Sequence, residues 1–241
     1  MQSGERMFIG RALIDCPTAL MQHEAYCVAL ASLRFEIRRI DVDRQLPDCA
    51  FVEDCAILLP GVAVICRLGA PSRQREVEAV ALELSKFGDA IHVEAPATIE
   101  GGDVLRSGNR ILVGRSTRTN ADGIAALRRI AEPIGLIVTE FVVHGCLHLK
   151  TACGFLPDGS LLANPNWVEL PDDMRIVRVD DQEPWAGNIL LANQTIVAAS
   201  SQPRTNQMLR DRGFRLIEVD ISEFQKAEGG VTCLSILVGA S

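Results

Sequence analysis

Val104-Leu105-Arg106-Ser107-Gly108-Asn109-Arg110-Ile111-Leu112-Val113 opens the stretch that decides the fold, residues 104–143. Apolar runs at 104–105 and 110–113 flank Ser107-Gly108-Asn109, a tight hairpin signal. Helical periodicity follows over 120–131, and an apolar, β-favouring run closes the stretch at 136–143. The order is strand, strand, helix, strand. Working outward, the same order recurs upstream. Strands at 51–59 and 62–67 turn at Pro60-Gly61, a helix over 73–87 has Ser72 placed to cap it and Gly88 to end it, and a short strand covers 90–94. Downstream, 147–151 pairs with 161–163. A last block combines strands 188–191 and 195–198, a helix over 205–212 and a strand at 215–219. Before all of these stand a strand at 8–13, a helix at 18–33 and an alternating strand at 35–42. Blocks of similar size imply an α/β quasi-repeat arranged about a centre. Three of them place an arginine where hairpin passes into helix: Arg73, Arg118 and Arg204. No low-complexity linker breaks the chain, so one domain over 1–241 is expected.

Composition narrows the function classes. The 241 residues are 48% hydrophobic, enough to bury a substantial core. Net charge is −7 with no basic run, and aromatics are few (one Tyr, two Trp, eight Phe), which argues against nucleic acid. An acidic chain steers cations, and a cationic small molecule is the expected partner. Eight cysteines show no CxxC, and several lie in apolar runs, which suggests a reducing, cytoplasmic setting. No run of about 20 apolar residues is present to span a bilayer, so no membrane partner is expected. Monomer and homo-oligomer both stay open.

Three constellations carry chemistry. Near the C-terminus, Gly229-Gly230-Val231-Thr232-Cys233 delivers a cysteine at the mouth of an apolar run, 234–238, read as a buried strand; two glycines allow close approach of a ligand to the backbone. Cys233 is either a buried structural thiol or a nucleophile. Mid-chain, His148 sits in a β-like run. A strand there would put His144, Cys146 and His148 on one face, but ligands two apart on a strand converge poorly on one ion, so a metal site is not expected. His148 is either a satisfied core histidine or a general acid/base. The acids form the third group. Glu100 and Asp103 flank Gly101-Gly102, and Asp48, Glu53 and Asp54 interrupt a segment that otherwise looks buried. Buried carboxylates need cationic partners, and a planar guanidinium suits several of them, whether from a core arginine or from a substrate.

Together the motifs Pro-Asp-Cys-Ala-Phe-Val-Glu-Asp (47–54), Arg-Leu-Gly-Ala-Pro-Ser-Arg (67–73), Glu-Gly-Gly-Asp-Val (100–104), Ser-Thr-Arg-Thr-Asn (116–120), Leu-His-Leu-Lys (147–150) and Gly-Gly-Val-Thr-Cys-Leu-Ser (229–235) resemble the dimethylarginine dimethylaminohydrolases. These belong to the guanidine-modifying superfamily with the arginine deiminases and amidinotransferases. The resemblance runs from about residue 8 to the end of the sequence, in the family's order. It implies a five-bladed α/β propeller of ββαβ units around a central site. It implies Cys233 as nucleophile, His148 as general acid/base and Glu100 as the acid that orients the histidine. Glu53 and Asp54 match carboxylates near the guanidinium, and Asp48 an acid near the amino-acid end of the substrate. Arg73 and Arg118 match the pair that binds the α-carboxylate, and the Ala227 main-chain carbonyl one that accepts from the α-amino group. The family carries a longer flap between the first strand and Gln22-His23; residues 11–20 here are too few to hold it.

The implied reaction is hydrolysis of a substituted guanidine, N-omega,N-omega-dimethyl-L-arginine to L-citrulline and dimethylamine, through a covalent thiouronium on Cys233, with no cofactor or metal. Two alternatives keep the fold: an arginine deiminase-like or small-guanidine hydrolase, and an amidinotransferase. A third, from another class, is a guanidino-binding protein in which Cys233 is inert.

Overall fold

The computed structural model describes residues 4–41, 45–169 and 173–239. Helix α1 (Cys16–Ser32) leads into four three-stranded sheets built to one plan. In the first, β1 (Ala56–Leu59) and β2 (Val62–Ile65) form an antiparallel hairpin. The chain then crosses through α2 (Val77–Leu84) to lay β3 (Asp89–His92) parallel to β2. The second repeats this with β4 (Val104–Ser107), β5 (Arg110–Arg115), α3 (Ala121–Ala131) and β6 (Ile137–Val142). The third is introduced by a one-turn helix, α4 (Leu149–Ala152), and contains β7 (Cys153–Phe155), β8 (Leu161–Ala163) and β9 (Ile176–Arg178). The fourth comprises β10 (Ile189–Ala192), β11 (Thr195–Ala199), α5 (Pro203–Asp211) and β12 (Leu216–Val219), after which comes α6 (Ser222–Gln225). The architecture is α/β.

Local chemistry explains the second unit well. Its hairpin turns at Gly108, whose φ of +57° is the left-handed region glycine tolerates. Asn120 caps α3, its Oδ1 accepting from Gly123 N at 2.8 Å and from Thr98 N at 3.0 Å. Ile124, Leu127 and Ala131 recur at helical spacing on the face of α3 that packs on Ile111 and Val113, in one core with Val64 and Ile65 of the neighbouring sheet. Each large side chain buried there contributes roughly 1.5–3 kcal/mol.

Several expected elements are not formed, two of them because tertiary partners claim the backbone. The run 147–151 is not a strand. Gly145 turns the chain at φ +66°, Leu149 N donates to Asp103 Oδ1 (2.9 Å) instead of to a neighbouring strand, and His148 becomes the extended residue that starts α4. His144 is left exposed and Cys146 and His148 buried, so the shared strand face does not exist. Residues 232–234 are a 3-10 turn, with Cys233 N bonded to Gly230 O (3.2 Å), and 235–239 are irregular. Residues 8–13 are irregular as well, because the N–H groups of Met7, Phe8 and Ile9 point at the Glu228 carboxylate. No strand forms over 35–41, and Val42 lies outside the described residues. The helix expected over 73–87 begins as a 3-10 turn, Pro71–Glu76, and Ser72 does not cap it but donates to Glu5 Oε1. Likewise the strand expected from residue 51 starts as a 3-10 turn, Val52–Cys55.

Two of these departures, Val52–Cys55 and α4, share a position. The turn Val52–Cys55 immediately precedes β1, the turn Gly101–Asp103 precedes β4, α4 precedes β7, and Asn188 precedes β10. The turn Thr232–Leu234 packs against Val52–Cys55, which packs against Gly101–Asp103, which packs against α4. Every candidate catalytic residue lies on this ring of turns or beside it.

Candidate active site

Glycine lets the turns close on one another. A Cβ on Gly101 would stand 2.0 Å from the Glu53 carbonyl, and one on Gly102 would stand 2.7 Å from His148 Nδ1 and 2.8 Å from Asp54 Oδ1. The pair at 101–102 is therefore required by close packing.

At the centre, His148 Nε2 lies 2.7 Å from Glu100 Oε2 and its Nδ1 lies 3.8 Å from Asp54 Oδ1. Glu100 is wholly buried; its other oxygen accepts from Gly69 N at 2.9 Å and stands 3.6 Å from Arg118 Nη1. Burial alone would lower the imidazole's pKa, but Asp54, Asp103 and Glu100 outweigh it and push His148 up to about 9. The ring is a cation at neutral pH, with a proton to give. Asp54 is buried, which disfavours its charge, yet His148 and then Arg73 hold its carboxyl below the usual range. Asp103 is also fully buried; burial pushes its carboxyl up to about 6 against the pull of His148 and Ser116. It accepts from Leu149 N and from Ser116 Oγ (2.6 Å), and so fixes the backbone that carries His148.

Cys233 is half-buried, and Gly230 N–H points at its Sγ from 3.3 Å. Burial first, and then the negative charges of Glu53 and Asp54, push the thiol up to about 12. Sulfur and imidazole therefore both feel Asp54. A cation placed between the sulfur and those two carboxylates would reverse their effect and favour the thiolate. The turn is braced by Asn188, which donates to Thr232 Oγ1 (3.0 Å) and to Lys150 O (2.9 Å).

Glu53 binds Lys150 Nζ through Oε1 at 2.7 Å. Arg73 is enclosed: it donates to Asp54 Oδ2 (2.8 Å) and, through two nitrogens, to Glu76 Oε2 (3.0 and 2.8 Å), and its side chain is 4% exposed. Arg118 is equally buried beside Glu100. Asp48 lies farther out, its Oδ2 accepting from Glu5 N at 2.8 Å and its Oδ1 3.7 Å from Arg6 Nη1. Ala227 is buried in the turn before Glu228, with Arg6 Nε donating to the Lys226 carbonyl at 3.1 Å. The structure thus brings Cys233, His148, Glu100, Glu53, Asp54, Arg73 and Arg118 into one neighbourhood, with Asp48 and Ala227 along its rim. Glu76, Lys150 and Asn188 were missed from sequence. Only Lys150, two residues from His148 in a buried-looking run, carried a signal there; Glu76 reads as an ordinary helix-surface acid.

Among the described residues, the buried side-chain polar atoms without a hydrogen-bond partner are Asp48 Oδ1, Glu53 Oε2, Asp54 Oδ1, Glu76 Oε1 and Arg118 Nη1. All belong to this neighbourhood. Unpaired buried polar atoms are few in folded proteins and need an explanation. Four such acceptors in one neighbourhood suit a cationic ligand with several N–H groups. Asp54, Glu100 and His148 also offer ligand atoms within 4.8 Å of one another. Glu100, however, already engages the His148 ring nitrogen and Asp54 already accepts from Arg73, so an ion would have to displace existing contacts of both.

Residues 42–188 match the family model described as arginine deiminase. The chain is 36% identical over 226 residues to the N(G),N(G)-dimethylarginine dimethylaminohydrolase of Pseudomonas aeruginosa, covering 92% of this chain and 89% of that protein. It is 38% identical over 229 residues to the protein of that name from Streptomyces coelicolor, covering 95% and 89% respectively. The structure of a cysteine-to-serine mutant of the Pseudomonas aeruginosa enzyme complexed with citrulline superposes with a TM-score of 0.85 at 34% identity, over 92% of this chain and 88% of that one.

Proposed function

The chain belongs to the arginine deiminase family and, within it, to the dimethylarginine dimethylaminohydrolases, and on that premise we propose that it hydrolyses N-omega,N-omega-dimethyl-L-arginine to L-citrulline and dimethylamine. The observation that carries this reading is that buried carboxylate oxygens of Glu53 and Asp54, the acids whose charge acts on Cys233, make no hydrogen bond, with a further such oxygen on Asp48 at the amino-acid end. A guanidinium presents its donors in a plane and satisfies several carboxylates at once.

In this mechanism Glu53 and Asp54 hold the substrate guanidinium against Cys233. Its charge offsets theirs, and the thiol gives its proton to solvent on binding. The thiolate attacks the guanidinium carbon, the bond from that carbon to dimethylamine breaks, and His148 gives its proton to the departing amine. The carbon is then bonded to Cys233 sulfur as a thiouronium. His148, now neutral, takes a proton from water as the water oxygen attacks that carbon. The carbon–sulfur bond breaks, the ureido product leaves, and His148 is again protonated. Glu100 holds the ring through both half-reactions. Arg118, with one buried N–H unpartnered, is suited to a carboxylate; Arg73 can join it only by giving up Asp54 or Glu76. No step requires a metal or cofactor.

The same reading makes the chain one domain of five units around the site. Four carry a sheet. Phe35, Ile37 and Leu237 pack with α1, while Ile40 and Ile236 pack into the core of the first sheet, which supports a fifth unit made of α1, residues 35–41 and the segment after Cys233. The turn Thr232–Leu234 would then hold the fifth of the equivalent positions that precede each hairpin. No helix among the described residues is long and apolar enough to cross a membrane. The eight thiols are unpaired and five of them are buried, which supports a reducing compartment, the cytoplasm.

Incubation with dimethylarginine and, separately, with arginine tests the assignment, dimethylamine being measured in the first and ammonia in the second. Dimethylamine and citrulline are expected from dimethylarginine. Ammonia from arginine with dimethylarginine left intact would overturn the reading in favour of an arginine deiminase.

A further inference from the structure

Residues 5–9 cross the rim at the end of the site assigned above to the substrate's amino-acid portion, and the attachments are specific. Glu5 N donates to Asp48 Oδ2, and Glu5 Oε1 accepts from Ser72 Oγ, next to Arg73. Met7 Sδ meets Thr117 Oγ1, next to Arg118. The Glu228 carboxylate gathers the N–H groups of Met7, Phe8 and Ile9. Between these anchors the Arg6 side chain is 5% exposed, with Nη1 3.7 Å from Asp48 Oδ1 and Nε bonded to the Lys226 carbonyl, one residue before Ala227. A cationic side chain of this protein therefore sits between the acid and the carbonyl turn that the functional reading gives to the substrate's α-amino group.

We propose that residues 5–9 are an intramolecular competitor: Arg6 fills the amino-acid end of the site, and an amino-acid guanidine must displace it to bind. The proposal rests on the functional reading, because that reading makes Asp48 and residue 227 the amino-acid end. The displacement is an exchange of one cation for another at Asp48, so the acid stays paired in both states. A guanidine with no amino-acid portion has nothing to exchange and binds beneath the docked strap. Arg6 thereby sets which guanidines compete well.

The test uses Cys233→Ser protein, which cannot turn substrate over, alone and combined with Arg6→Ala or Glu228→Gln. Binding of dimethylarginine and of methylguanidine is measured by titration calorimetry. Removing Arg6 should tighten dimethylarginine by about five- to tenfold, the factor expected if roughly 10–20% of molecules have the strap lifted, and leave methylguanidine within about twofold. Glu228→Gln, which frees the strap and keeps the guanidinium, should move dimethylarginine in the same direction, and carries the test if Arg6→Ala fails to fold. Unchanged or weaker dimethylarginine binding in the folded variants would overturn the proposal. If dimethylarginine binds none of the three proteins, the functional reading itself fails, and the competitor falls with it.

Discussion

The two ends of the site are held by different means. Around His148, every attachment comes from the ring of turns: Glu100 from the start of Gly101–Asp103, Asp54 from Val52–Cys55, and Asp103 fixing the first residue of α4, all buried and packed against sheet cores. Around Asp48, the attachments come from residues 5–9, an irregular segment tied to Ser72, Thr117 and Glu228. The first end cannot change without disturbing the cores, whereas the second can open by breaking the few bonds that hold an irregular segment. Changes at the first should lower kcat and leave KM nearly unaltered, and changes at the second should do the reverse.

His148→Gln bears on this division most strongly. It keeps a donor to Glu100 but removes the transferable proton, so kcat should fall by about 10²–10⁴-fold in steady-state assays. A large rise in KM instead would break the distinction between the two ends. Glu100→Gln sharpens it. The histidine loses a carboxylate that raises its pKa, so the alkaline fall in kcat/KM, expected near pH 9 in the wild type, should move towards the ordinary histidine value, with kcat reduced on the order of tenfold. An unmoved alkaline limb would mean that the limb does not report His148. The same shift links to stability: because the folded pKa lies above the free value of 6.5, the group's contribution is fully present below that value and is lost as pH rises through about 9.

Gly102→Ala probes the packing. The new methyl would press on His148 Nδ1 and Asp54 Oδ1, side-chain atoms that are themselves held, and about 1–3 kcal/mol of stability should be lost together with several-fold in kcat. Thermal unfolding and turnover measured on the same sample would separate a stability effect from a catalytic one. Asn120→Ala should have the smallest effect: it removes the cap of α3 and the partner of Thr98 N, costs about 1 kcal/mol by denaturant titration, and lowers kcat by less than Gly102→Ala does, since Thr98 is two residues from Glu100 and the catalytic side chains keep their own bonds.

The same division explains how much was legible in the sequence. Where local and tertiary forces agree, as in the Gly108 hairpin, the Asn120 cap and the apolar face of α3, the second unit is formed nearly as the sequence predicts. Residues 147–151 and 234–238 have strand-like patterns but no ladder partner: Asp103 takes Leu149 N, and the turn at 232–234 takes Ser235 N onto Thr232 O. These partners lie far away in sequence or inside a turn, and neither periodicity nor propensity registers them. The family motifs were nonetheless sufficient to bring Cys233, His148, Glu100, Glu53 and Asp54 to attention. Glu76 escaped because a single glutamate in a helical pattern looks solvent-facing; only the fold turns it onto Arg73. The Arg6 contact with Asp48 lies 42 residues apart in the chain and belongs to no pattern at all.

The most direct measurement is the intact mass of the protein quenched with acid during turnover of dimethylarginine, followed by peptide mapping. A thiouronium adduct on the peptide containing Cys233 is expected, absent from Cys233→Ser, which should also release no dimethylamine. Undiminished dimethylamine release by Cys233→Ser, with no adduct on any cysteine of the wild type, would contradict covalent catalysis by this residue.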